Sequence, residues 1–171
     1  MDRSKFGFYV LSAFVFLFAI VIMGINSTYS INGANTYKWD VAFSSVDVST
    51  NTIKEYSNPK VDLESTSLSG MKFEVDSAGD SITYKINVLN KGSVDAKISK
   101  VYVDYSCNNK EECNDLEYTL TYEDGSLVER DDLLNLNTGK TMFLNFKYNG
   151  SINDEKLIVD NIKLFVNYIE R

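Results

Sequence analysis

Apolar and polar side chains alternate with period two along most of the chain. Tyr37, Trp39, Val41 and Phe43 alternate with Lys38, Asp40 and Ala42, the pattern of a strand with one buried face and one wet face. The phase then slips, and Val46 and Val48 continue on even numbers. An extra residue around Ser44-Ser45 therefore predicts a bulge or a bend between two sheets. Leu68, Phe73 and Val75 mark another strand around Gly70, a second candidate bulge. The cleanest alternation runs from residue 81 to 90: Ile82, Tyr84, Ile86 and Val88 face one way, Thr83, Lys85 and Asn87 the other. Asn90-Lys91-Gly92-Ser93 reads as a hairpin turn with glycine at positive φ. It returns a strand through Val94, Ala96 and Ile98 that continues, after a further slip, through Val101, Val103 and Tyr105. Tyr118, Leu120 and Tyr122 end at a Glu123-Asp124-Gly125-Ser126 turn. Met142, Leu144, Phe146 and Tyr148 form the penultimate strand, and Ile162, Leu164, Val166 and Tyr168 the last. Asp131 to Asn135 alone suggests a short helical turn. Turn signals recurring at this spacing predict an all-β fold, a single antiparallel β-sandwich of about seven to nine strands, Ig-like or jelly-roll-like.

The first thirty residues follow a different pattern. Residues 6–25 carry no charge, and as a helix they would reach about 30 Å, the thickness of a bilayer core. Arg3 and Lys5 precede the run, and the next charge is Lys38. The positive-inside rule then predicts a cytoplasmic N-terminus and an exported remainder. Two outcomes stay open for residues 1–30. The length of the run suits an uncleaved signal anchor, while the small residues in Asn26-Ser27-Thr28-Tyr29-Ser30 offer a place for signal peptidase to cut. Residues 31–171 are then one extracytoplasmic domain, on a cell membrane through the single helix or secreted once it is removed.

Composition narrows the chemistry. The chain has no histidine, which removes the commonest general base, the commonest zinc ligand and every Ser-His or Cys-His pair. No G-x-S-x-G and no glycine-rich phosphate loop is present. The expectation is a protein that is not an enzyme, with no catalytic residues, no metal ligands and no cofactor. The net charge of −7 is concentrated: Asp104, Glu111, Glu112, Asp115, Glu117, Glu123, Asp124, Glu129, Asp131 and Asp132 face only Lys110 and Arg130 in that window. Such a surface repels phosphate backbones, so nucleic acid is not an expected partner. Solvated loops account for the acids first. Calcium stays open, although nothing has the spacing of an EF-hand loop.

Cys107 and Cys113 are the only cysteines. In an exported chain they are expected to form a disulfide closing the loop 108–112, with free thiols as the alternative. Trp39 and the tyrosines at 37, 84, 105, 118, 122, 148 and 168 could be read as a carbohydrate platform. Their places on alternating faces assign them first to core and sheet surface.

The segment Gly79-Asp80-Ser81-Ile82-Thr83-Tyr84-Lys85-Ile86-Asn87-Val88-Leu89-Asn90-Lys91-Gly92-Ser93-Val94-Asp95-Ala96 resembles a recurring element of Gram-positive surface proteins. In it a Gly-Asp turn leads into a strand ending in Asn, followed by x-Gly-x-x-x-Ala. The element occurs in biofilm-fibre subunits of the TasA and camelysin kind and in exported β-sandwich proteins of Firmicutes. Lys38-Trp39-Asp40-Val41-Ala42-Phe43 and Tyr122-Glu123-Asp124-Gly125 are similar to the latter group. The resemblance covers about a third of the chain. It implies a cell-surface structural or adhesion module, held by the membrane helix or released, with a protein partner or self-assembly. The alternative is an extracytoplasmic ligand-binding or accessory subunit of an envelope complex.

Overall fold

The computed structural model describes residues 38–61, 65–152 and 156–171. The chain divides into two units, Met1–Thr36 and Tyr37–Arg171. The first, and with it the apolar run 6–25, lies outside the described residues, as does Tyr37. None of the described helices is long and apolar enough to cross a membrane.

In chain order the elements are β1 Val41–Asn51, β2 Lys54–Ser57, β3 Lys60–Val61, β4 Ser67–Val75, β5 Ser81–Asn90, β6 Ala96–Cys107, α1 Lys110–Cys113, β7 Leu116–Tyr122, β8 Leu133–Leu134, β9 Gly139–Tyr148 and β10 Leu157–Glu170. The strands build two antiparallel sheets. One has the order β1-β5-β9-β7; the other has β2-β4-β10-β6-β8, with β3 also on β4. Among the described residues there are ten strands rather than seven to nine. The excess is short pieces such as β3 and β8, two residues each, too brief to show a period.

The core lies between the sheets. From the first sheet come Ile82, Tyr84, Ile86 and Val88 of β5 and Met142, Leu144, Phe146 and Tyr148 of β9. The second supplies Met71, Phe73 and Val75 of β4 and Ile162, Leu164 and Val166 of β10. All are fully buried; the four predicted positions of β5 share the inner face, while Leu89 lies partly buried on the outer one. Phe73 meets Phe146 across the gap at 5.3 Å between ring centroids.

The phase slips are real irregularities of pairing. The β1–β5 register shifts between Phe43 and Ser45. On β4, Met71 and Leu68 oppose Ile162 and Leu164, so an extra residue is taken up at Gly70. The β6–β10 register shifts at Asn167/Tyr168, opposite Lys100 and Ile98.

The expected hairpin at Gly92 does not exist. β5 pairs with β1 and β9, and β6 with β10 and β8, so residues 91–95 carry the chain from one sheet to the other. The reason for glycine is a close approach, not a turn: a Cβ on Gly92 would stand 2.5 Å from the Lys38 carbonyl oxygen and 3.0 Å from Asn90 Oδ1. Ser93 N donates to that same carbonyl at 2.9 Å. The short helical turn expected over 131–135 is also absent. Asp131 has φ 69°, and Leu133-Leu134 pair with Lys97 and Ala96 as β8. The one described helix is α1, started by Asn109, whose side chain accepts from Glu111 N and Glu112 N.

Candidate functional site

β6 and β7 form one side of the sandwich, each at or near the margin of its own sheet. On β6, β8 covers only Ala96 and Lys97, and the chain at Asp131 and Asp132 hydrogen-bonds Ile98. From Ser99 to Ser106, β6 pairs with β10 alone among the described residues. This stretch turns Val101, Val103 and Tyr105, each half-buried, toward the core. β7 is better covered on the edge away from β9. Tyr122 N donates to the Ser126 carbonyl at 2.8 Å and Val128 N to the Leu120 carbonyl at 3.0 Å, so the predicted Glu123–Ser126 turn folds back along its own strand. Tyr105 spans the gap, its ring edge-on to Tyr118 at 6.4 Å and its hydroxyl donating to the Leu116 carbonyl at 3.5 Å. Tyr118 is left 44% exposed.

Cys107 and Cys113 close one end of this side. Their sulfurs stand at disulfide distance, 1.96 Å, with the Cα atoms 5.9 Å apart. Cys107 ends β6 and Cys113 ends α1, so the bond ties the second sheet to the connection that enters β7.

The other end opens into a groove of about 770 Å³ lined by Tyr122, Glu123, Asp124, Leu127, Asp132 and Lys140, among others. Asp132 organises it. Its Oδ2 accepts the Tyr122 hydroxyl at 3.0 Å and Glu129 N at 2.8 Å. Burial, with the Asp132 carboxylate beside it, pushes the Tyr122 phenol well above the usual tyrosine range. Tyr168 shifts the same way for the same two reasons. Asp124 accepts both the hydroxyl and the amide of Ser126, which lowers its carboxyl pKa. Lys140 Nζ stands 4.4 Å from the centre of the Tyr122 ring, so a cation already covers one face of the groove's aromatic side chain.

The fold splits the acidic window into separate groups. Glu111, Glu112 and Asp115 lie beside the disulfide, Glu123, Asp124, Glu129 and Asp132 around the groove, and Asp104 on β6. Among the described residues no group of three or more acids or cysteines is disposed to hold a metal ion.

The aromatic residues are likewise dispersed. Tyr84 and Tyr148 are fully buried, while Trp39 is 47% exposed ahead of β1. Sequence reasoning passed over the aromatic pair on the outer face of the second sheet. Tyr102 and Phe165 are cross-strand neighbours stacked at 4.7 Å, with Lys100 Nζ 4.6 Å from the Tyr102 ring centre. The facing sides of these rings are taken by each other, and Lys100 covers Tyr102, so the pair is a poor platform for a sugar. Also unforeseen was Glu74, only 2% exposed, which is ion-paired with Lys156; that ammonium reaches Asp76 at 3.0 Å as well. The two carboxylates raise the Lys156 pKa. Nothing in Phe73-Glu74-Val75 signals this, because the counter-charge arrives from a distant part of the chain. No protein-family model, no curated protein and no solved structure matches the chain.

Proposed function

We propose that residues 31–171 form an extracytoplasmic cell-surface structural or adhesion module without catalytic activity, tethered by the apolar run 6–25 or released after its cleavage. The observation that carries the contact role is the open stretch of β6. Ser99 to Ser106 has no described backbone partner on one edge, and half-buried Val101, Val103 and Tyr105 lie behind it. An unpaired edge with apolar side chains on its inner face offers both main-chain hydrogen bonds and area for burial to a protein partner or a second copy. The passage of the chain from sheet to sheet at β1–β4, β4–β5, β5–β6, β6–β7 and β9–β10 favours the jelly-roll-like form of the sandwich over a meander.

The test is Val103→Lys in the full exported chain. A lysine at a half-buried edge position can lift its ammonium to water, so folding should persist while self-association or adhesion to cells is lost. Unchanged association and adhesion by a folded variant would reject the β6 contact. Protease added to intact, wall-stripped cells tests the topology, and full protection of residues beyond 31 would overturn export. The groove supports the second reading, a ligand-binding or accessory subunit. Loss of function in Leu127→Asp but not in Val103→Lys would move the role there.

A further inference from the structure

The β9–β10 connection begins Asn149-Gly150, and its surroundings leave this pair chemically unprotected. Asn149 is exposed. Its backbone N donates to the Asp115 carbonyl at 3.0 Å, which fixes the main chain, while its carboxamide makes no hydrogen bond among the described residues. The Gly150 amide makes none either. Gly150 is held against the start of β7: a Cβ there would collide with Asp115 Oδ2 and lie 2.6 Å from the Tyr148 hydroxyl. Only glycine fits, and glycine is the residue that least shields a preceding asparagine, having no side chain to obstruct approach to the amide nitrogen.

We propose that Asn149–Gly150 is a self-modification site at which the folded chain deamidates, with water as the only co-reactant. The Gly150 amide nitrogen attacks the Asn149 side-chain carbonyl carbon. A C–N bond forms, the nitrogen gives up its proton, and ammonia leaves with the carboxamide nitrogen, closing a succinimide. Water then opens either carbonyl, giving aspartate or, with the main chain rerouted through the side chain, isoaspartate. Either product puts a new carboxylate beside Asp115. The isoaspartate also lengthens the backbone where Gly150 has no spare room, so modification should loosen the hold of this turn on the start of β7.

The test incubates the purified full chain in mildly alkaline buffer, native and urea-unfolded in parallel, with peptide mapping and isoaspartyl methylation as readouts. The amide-to-acid mass gain should localise to the Asn149 peptide, at a rate in the native chain within about threefold of the unfolded one, because neither the attacking amide nor the exposed carboxamide has to give up a hydrogen bond first. The Asn149→Gln variant should remove that signal and leave the other Asn-Gly pair, Asn32-Gly33, as an internal comparison. Protection of Asn149 by about tenfold or more in the native chain would overturn the proposal, since the fold would then be guarding the bond.

Discussion

The Tyr122 hydroxyl and the Asp132 carboxylate are hydrogen-bonded at 3.0 Å, and that carboxylate is also the acceptor for Glu129 N. One half-buried side chain therefore holds the end of β7 and the loop before β8 together. Asp132→Ala would leave a phenol and an amide without their acceptor. It should destabilise the domain by about 2 kcal/mol, with increased hydrogen exchange confined to residues 123–134. Loss of exchange protection throughout both sheets at the same denaturant concentration would show that the contact is not local.

Four tyrosines bear on the alkaline limit. Tyr105, Tyr122, Tyr148 and Tyr168 all titrate above the ordinary value of 10.0, burial being the first cause in each. The folded state thus prefers the protonated phenols. Their contribution is complete below the unfolded value of 10.0 and declines as pH rises from there toward the folded values. Urea unfolding midpoints should fall steadily above about pH 10, and native tyrosinate absorbance should lag behind that of the unfolded chain. Tyr122→Phe should reduce the slope.

The two faces of β5 should respond differently to charge. Ile86 is fully buried opposite Met142, and Ile86→Asp should cost several kcal/mol, enough to unfold a domain whose margin is about 5–15. Thr83, on the outer face, accepts a hydrogen bond from Asn145 Nδ2 at 2.7 Å; aspartate keeps an acceptor there, so Thr83→Asp should stay within about 1 kcal/mol. Asn87→Asp falls between. Asn87 donates to Ser45 Oγ and accepts from Thr141 Oγ1, both at 2.8 Å, and aspartate can only accept. Thermal melts of the three variants would check the order, and equal losses on both faces would reject the register.

Non-reducing mass analysis should find Cys107 and Cys113 lacking two hydrogens, with the peptide spanning 108–112 closed. The bonded cysteines are separated by 6 in sequence. Closing so short a loop restricts the unfolded chain little, and Cys113→Ser should cost no more than about 2 kcal/mol. Quantitative alkylation without reductant would show free thiols.

The faces, the bulges and much of the core were legible in the sequence because strand burial is a local, period-two property. Ile82 to Val88 must share a side whatever lies above them, and a phase slip at Ser44-Ser45, Gly70 or Ser99-Lys100 must become an irregularity. The absence of histidine and the two-cysteine spacing could likewise be read without coordinates. Strand partnership could not. Asn90-Lys91-Gly92-Ser93 has hairpin composition, yet Gly92 serves a close backbone approach and the chain changes sheets there. Tyr105 against Tyr118, Glu74 with Lys156, and the contact of Gly150 with Asp115 each join residues far apart in sequence or in separate elements. Local pattern determines which way a side chain points. Which strand lies beside it, and so which edge of β6 is left open, depends on how two sheets together bury one core, and only the tertiary structure decides that.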